Sequence, residues 1–130
     1  MGRPAARKCD VIFAIDIHLV MAVPLPSPVP TPLPFFGNIN GNVSSNVEIM
    51  GKPAATVDST AKNKPSHTVP SPAFFVRPPT NKGSVASGSS TVIINGKEAA
   101  RLGDRAKTCS DPVPLVSVVI GTGTTVFIGG

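Results

Sequence analysis

The sequence predicts an all-β fold: a small cone of β-hairpins with pseudo-threefold symmetry and proline-rich extended arms. Three observations predict it: a short unit that occurs three times, an apolar content made mostly of Val, Ile and Ala, and fifteen prolines with twelve glycines. Val and Ile favour strands, whereas proline and glycine interrupt regular elements. Because the chain has only 130 residues, we expect a single domain spanning residues 1–130.

The composition argues against several classes of protein. Hydrophobic residues make up 41% of the chain and charged residues 15%, which is not the composition of a disordered protein. The net charge of +5 comes from scattered basic residues with no aromatic side chains between them, so we expect no nucleic-acid binding. The apolar stretch at residues 11–23 is interrupted by Asp16 and His18 and is shorter than the roughly 20 residues that a membrane span needs. We also expect no secretion signal.

The repeated unit is interpreted as a β-hairpin. Residues 44–55 read SSNVEIMGKPAA, residues 89–100 read SSTVIINGKEAA, and residues 122–130 read TGTTVFIGG. Alternating Val and Ile predict the first strand, and the Gly that follows predicts the turn. The third copy lacks a second strand, but residues 4–10 (PAARKCD) match residues 53–59 (PAATVDS) and 98–104 (EAARLGD). The sequence therefore predicts a threefold repeat that is closed through its N-terminal segment.

The Ala pairs and the long insertions complete the predicted architecture. Adjacent Ala residues suit a place where three backbones converge on one axis. An ordinary β-sandwich is the alternative, but it gives no reason for three matched copies. The insertions at residues 23–42 and 68–83 predict extended or polyproline arms, each anchored to the β body by a Phe pair, Phe35 with Phe36 and Phe74 with Phe75. Proline spacing of this kind is also typical of ligands for SH3-like domains.

Histidine and cysteine placement predicts a metal site. Each Ala pair is followed by one such side chain, with His18 and His67 twelve residues after the pair and Cys109 nine residues after it. Convergence of the three copies brings these side chains together, and imidazole with thiolate favours zinc, with iron as the alternative. Cys9 is either the fourth ligand, a small buried strand residue, or the partner of Cys109 in a disulfide. Asp16 is expected to accept a hydrogen bond that orients an imidazole.

These motifs resemble the PAAR-repeat family. Pro4, Ala5, Ala6 and Arg7 match its Pro-Ala-Ala-Arg motif letter for letter, and residues 95–104 match its fuller pattern of a hairpin turn followed by Ala-Ala-Arg-x-Gly-Asp. The resemblance covers essentially the whole chain. The middle copy departs from it, with Thr56 at the Arg position and Asp58-Ser59 in place of Gly-Asp.

The resemblance implies a sharp cone seated on a trimeric β-helical spike of the valine-glycine-repeat type, in a type VI secretion system, a phage-like tail or an extracellular contractile particle. It implies one monomer on each trimer, assembled in the bacterial cytoplasm and then exported or released as the tip of the particle. It also implies a metal near the apex, held by His18, His67 and Cys109, with Cys9, water or nothing as the fourth ligand. The target membrane is expected to be contacted only transiently, and bound effector cargo is a further partner.

Three other functions remain as alternatives. An effector-carrying adaptor shares the predicted fold. A small metal-dependent hydrolase would need an open metal position and a general base such as Glu48 or Asp16, and the chain carries no hydrolase motif. A metal-storage or adhesin module is the third. We expect no catalytic residues and no enzymatic activity.

Overall fold

The structure is a computed structural model that describes residues 2–22, 24, 27–110, 117–122 and 125–130. These residues form strands, turns and bridges, and none of them belongs to a helix that could span a membrane. The strands are β1 (Arg3–Pro4), β2 (Val11–Met21), β3 (Val29–Gly41), β4 (Glu48–Ile49), β5 (Lys52–Pro53), β6 (Thr60–Asn63), β7 (Phe74–Phe75), β8 (Lys82–Val85), β9 (Ile93–Ile94), β10 (Lys97–Glu98), β11 (Arg105–Lys107), β12 (Ser117–Ile120) and β13 (Phe127–Ile128).

Six strands form a closed antiparallel sheet. Its order is β2-β3-β6-β8-β11-β12, and β12 pairs back onto β2, with Val118 opposite Phe13 and Ile120 opposite Val11. Because closure removes the edges of a sheet, the barrel leaves few unpaired backbone groups around its girth. The all-β prediction is confirmed: the barrel and the short hairpins together make a small β cone.

The three copies of the repeated unit form three short hairpins. β4 pairs with β5, and β9 pairs with β10. The third hairpin joins the two ends of the chain, because β13 pairs with β1, with Ile128 opposite Arg3 and Phe127 opposite Pro4. In this pairing, the N-terminal segment forms the second strand of the hairpin that contains the third copy.

The Ala pairs meet in a closed ring of backbone hydrogen bonds. The amide of Ala6 donates to the carbonyl of Ala100, that of Ala100 donates to Ala55, and that of Ala55 donates to Ala6, each at 3.0 Å. All three residues are fully buried. A larger side chain would hold the three backbones apart, so the structure explains why each copy carries small residues here.

A capped turn follows each Ala pair. Cys9, Asp58 and Gly103 occupy its left-handed position, with φ of 76°, 74° and 86°. The next residue caps the turn by accepting a hydrogen bond from the backbone amide three residues earlier. Asp10 accepts from Arg7 at 2.9 Å, Ser59 from Thr56 at 2.9 Å, and Asp104 from Arg101 at 2.8 Å. Serine in the middle copy accepts the same bond as aspartate in the others. Asp10 and Asp104 therefore have a structural role in these turns.

The buried apolar side chains form two layers. At the hairpins, the first Ala of each pair packs with Ile49, Ile94 and Ile128. Inside the barrel, the second Ala of each pair packs with larger residues, namely Ile12, Phe35, Ile39, Val85 and Val119. The hydrophobic core therefore fills most of the barrel, and only the end farther from the hairpins is polar.

The proline-rich arms differ in part from the polyproline segments that the sequence suggested. The first arm is largely β3, which pairs with β2 over ten residue positions. Pro30, Pro32 and Pro34 occupy alternate positions where β3 has only β2 as its neighbour, and alternate residues of an edge strand need no amide for the ladder. Phe35 is fully buried in the barrel, and Phe75 of the second arm pairs with Val20 of β2.

Candidate metal centre

Two of the four residues in the candidate centre come from one strand. β2 alternates regularly, so that Ile12, Ala14, Asp16, His18 and Val20 all face the interior and are buried. The period of two therefore places Asp16 and His18 on the same inward face. Asp10 ends the turn beside the Ala ring, so Asp16 lies about 20 Å farther along the strand at about 3.3 Å per residue.

The other two residues follow the ends of neighbouring strands. His67 lies four residues after the end of β6, and Cys109 lies two residues after the end of β11. Both strands run towards the same end of the barrel, since each is antiparallel to β8. The two connections therefore deliver an imidazole and a thiol to the buried end of β2.

Asp16 is the centre of the cluster. His67 Nε2 donates to Asp16 Oδ2 at 2.9 Å, and Cys109 Sγ donates to the same oxygen at 3.3 Å. The hydroxyl of Thr108 donates to the other carboxylate oxygen. Because the carboxylate is fully buried, these bonds offset part of the cost of removing its charge from water.

His18 completes the group. Its Nε2 lies 3.7 Å from Cys109 Sγ, and its ring packs edge-on against those of His67 and Phe75, with centroids 5.0 and 5.6 Å away. One ligand atom from each of Asp16, His18, His67 and Cys109 lies within 4.8 Å of all the others. No other group of this kind occurs among the described residues.

Two asparagines fix the orientation of His67. Asn63 Oδ1 accepts from the amide of Phe36 at 2.9 Å, which leaves Asn63 Nδ2 facing His67 Nδ1 at 3.3 Å. Asn81 Oδ1 accepts from both Asn63 Nδ2 and the amide of His67. Since Nδ1 must accept a hydrogen bond, the neutral ring carries its proton on Nε2, the atom that donates to Asp16.

Cys109 is held as a thiol in this arrangement. Burial, reinforced by the hydrogen bond to Asp16 and by its negative charge, raises the pKa of Cys109 from 9.0 to about 11. A metal ion binds cysteine as the thiolate, so binding at this site would release the thiol proton.

Three of the four predicted ligands are brought together, and Cys9 is not. Cys9 is exposed at the left-handed position of the turn after the first Ala pair, and its amide donates to the carbonyl of Ile39. The structure therefore assigns it neither of the buried roles considered above, and both cysteines are free. The fourth member of the cluster is Asp16, which the sequence suggested only as an orienting acceptor.

Some residues of the site were not identified from the sequence. Asn63, Asn81 and Thr108 orient His67 and Asp16 through hydrogen bonds. Asn63 and Asn81 lie outside the repeated unit, and polar side chains of this type are common in turns, so the sequence carried no signal for them. Asp16 did carry one, because it lies two residues before His18 on an alternating strand.

A family model described as the PAAR motif matches residues 77–130. This segment contains the β9–β10 hairpin, the Ala-Ala-Arg sequence and strand β13, which pairs with the N-terminal strand β1. This match supports a PAAR-repeat protein. The PAAR-repeat family is a structural family of spike tips of contractile injection systems and not a family of enzymes. No curated protein is similar enough to this chain to count as a relative.

The cluster of Asp16, His18, His67 and Cys109 fits a metal ion. Bonds of about 2.0–2.3 Å in a tetrahedral site place ligand atoms about 3.3–3.8 Å apart. The separations of Asp16 Oδ2 from His67 Nε2 and Cys109 Sγ, 2.9 and 3.3 Å, and that of Cys109 Sγ from His18 Nε2, 3.7 Å, lie close to this range. All four ligand atoms lie within 4.8 Å of one another, so the group could hold a divalent ion after movements of up to about an ångström.

Proposed function

We propose that this PAAR-repeat protein is the metal-stabilised tip that caps the trimeric β-helical spike of a contractile injection system and helps to pierce the target envelope. The observation that carries the proposal is the closed ring of three hairpins. A single chain with this arrangement presents nearly the same hairpin three times, which is what a trimer of identical chains requires of a monomeric cap.

The hairpin end has the character of a docking surface. Ile93 and Phe127 are 56% and 58% exposed at equivalent positions of two hairpins. Short strands with exposed edges and large apolar side chains suit a partner that ends in open strand edges. The partner we propose is a spike of the valine-glycine-repeat type, with one cap on each trimer. Bound effector cargo would be a second partner.

Zinc is the metal we propose for the cluster at the other end of the barrel, with iron as the alternative. Two imidazoles, a thiolate and a carboxylate suit the tetrahedral preference of zinc and require no redox chemistry. Apparent binding free energies of structural zinc are about 10 kcal/mol or more, and this energy stabilises the fold directly. A stiff apex would transmit the force of sheath contraction, so the metal has a mechanical role in this proposal.

The proposal places the protein in the bacterial cytoplasm during assembly and at the front of the particle after export or release. It assigns no catalytic residue. The metal cluster would serve as a clamp between β2 and the ends of β6 and β11, the three strands whose ends carry its ligands.

Binding to the trimeric spike of the same contractile system tests the proposal. We expect one chain for each spike trimer by light scattering after size exclusion. We expect the Ile93→Lys and Phe127→Lys double variant to bind at least tenfold more weakly, because it places charge on the docking surface. The matched control is Ile15→Lys, since Ile15 is 45% exposed on the outer face of β2. Equal loss in the control, or undiminished binding by the double variant, would contradict the proposed polarity.

A further inference from the structure

In two of the three copies, the arginine of the motif bridges to the hairpin turn of the next copy. Arg7 Nη1 donates to the carbonyl of Met50 at 3.3 Å, and its Nη2 donates to the hydroxyl of Thr122 at 3.1 Å. Arg101 Nη1 donates to the carbonyl of Gly129 at 3.1 Å. The two guanidinium groups therefore each donate to a turn carbonyl of the neighbouring copy, and that of Arg101 is also bound by the carboxylate of Asp104 at 2.9 and 3.2 Å.

The third bridge of this type is missing. Met50, Asn95 and Gly129 are the equivalent turn residues, since each follows the Ile of its strand. The carbonyl of Asn95 is therefore the expected acceptor for the middle copy. That copy carries Thr56 at the arginine position, and the Thr56 hydroxyl donates locally to the carbonyl of Val57 at 3.2 Å. Its side chain is too short to reach the turn of the next hairpin.

A groove lies where the third guanidinium would be. It has a volume of about 270 Å³, and its lining includes Val43, Ser44, Thr56, Asn95 and Lys97. Asn95 is the equivalent of Met50, which accepts from Arg7. Val43 is the equivalent of Thr122, the second contact of Arg7, because each lies five residues before the first residue of its hairpin strand. The groove is thus equivalent to the position that the guanidinium of Arg7 fills.

We propose that this groove binds the guanidinium group of an arginine side chain supplied by a partner protein. The groove opens beside the β9–β10 hairpin, so the inference rests on the proposed docking of the hairpin end and names a contact within it. A carbonyl and a hydroxyl hold the guanidinium of Arg7 without a carboxylate among these contacts. In the groove, the Asn95 carbonyl offers the first kind of acceptor. The second is the Ser44 hydroxyl, which donates to Asn95 Oδ1, accepts from the amide of Val47 at 2.9 Å and has a second lone pair.

The charge of Lys97 is already paired. Its ammonium lies 3.4 Å from the carboxylate of Asp58. Because both side chains are largely exposed, this pair is screened by water and opposes a second cation only weakly. Hydrogen-bond geometry is therefore expected to decide which ligand enters, and a planar group with several donors fits best.

The test uses small probes and contains no spike, so its failure would leave the spike-tip proposal standing. We expect N-acetyl-arginine amide to shift the amide resonances of Ser44, Thr56 and Asn95 in two-dimensional NMR, with a millimolar Kd. The citrulline and lysine analogues should bind at least fivefold more weakly, because neither offers a charged planar fork. Shifts of equal size for all three probes would overturn the proposal, as would binding of inorganic phosphate in place of the arginine probe.

The matched variant fills the groove from within. Thr56→Arg supplies the missing side chain, so the arginine probe should no longer bind. Thr56→Gln is neutral and its side chain is long enough to enter the groove, so it serves as the test if Thr56→Arg disturbs folding. It should weaken binding of the arginine probe at least threefold. Probe binding that is undiminished in a folded variant of either kind would overturn the proposal.

Discussion

Exchanging Asp16 separates the two candidates for the fourth metal ligand. Asp16→Asn removes the carboxylate at the centre of the cluster but keeps the shape of the side chain, whereas Cys9→Ser removes the thiol that the sequence suggested. Asp16 Oδ2 lies 2.9 Å from His67 Nε2 and 3.3 Å from Cys109 Sγ. Cys9 is exposed in a turn outside the cluster. We therefore expect only the first exchange to weaken metal binding.

The size of the effect follows from the number of ligands. Dividing about 12 kcal/mol of zinc binding equally among four ligands gives about 3 kcal/mol for each, or about a 100-fold loss of affinity at about 1.4 kcal/mol for each factor of ten. A neutral amide remains a weak oxygen ligand, so Asp16→Asn should lose about 30-fold to 100-fold. Cys9→Ser should change the zinc Kd less than twofold.

Competition with a chromophoric zinc chelator measures these affinities at neutral pH. Circular dichroism of each variant shows whether the β fold is retained, so that a loss of affinity is not mistaken for unfolding. A drop in affinity for Cys9→Ser, together with wild-type affinity for Asp16→Asn, would refute the assignment of Asp16. Wild-type affinity in both variants would leave water as the fourth ligand.

Three further predictions concern the same cluster. Asn63→Asp places a carboxylate opposite His67 Nδ1, which favours a proton on Nδ1 and a lone pair on Nε2. The zinc Kd should therefore fall about tenfold. An unchanged or higher Kd in the chelator competition would contradict the tautomer assigned to His67. Because the pKa of Cys109 is about 11, zinc binding should release the thiol proton. Zinc affinity should therefore rise about tenfold for each pH unit from 7 to 9. Cys109→Ser should make this dependence on pH weaker. In the metal-free protein, the same raised pKa contributes stability that is present below pH 9 and is lost as the pH rises through about 11, which thermal melts at several pH values would detect.

The repeat made the broad architecture predictable. Matched residues at 44–55, 89–100 and 122–130 indicated three hairpins, and the match at residues 4–10 indicated how the third one closes. The same symmetry predicted that His18, His67 and Cys109 converge, because each follows its Ala pair at a similar distance. Because similar local sequences favour similar local structures, the hairpins and the convergence of the three side chains could be predicted without knowing the structure of the insertions at residues 23–42 and 68–83.

The parts that were missed depend on tertiary pairing. Prolines at alternate positions of residues 30–34 suggested polyproline, yet they leave every second amide free to pair, and β2 provides an eleven-residue partner. Cys9 was considered as a ligand because of its chemistry, but its position in the repeat is the left-handed turn that Asp58 and Gly103 also occupy. In both cases the type of residue suggested one structural role. The position of that residue in its strand or repeat determined a different one.

Apart from Thr56 at the arginine position, the departures from threefold symmetry increase with distance from the hairpins. Beside the hairpins, the Ala ring and the three capped turns are nearly identical, as docking on three identical chains would require under the proposed function. Farther along, β2 and β3 are much longer than the other barrel strands, and the cluster receives two side chains from β2 and one from each of the other two copies. A free apex has no symmetric partner to match. One extended copy can therefore supply both Asp16 and His18, which gives four potential ligands where strict symmetry would give three.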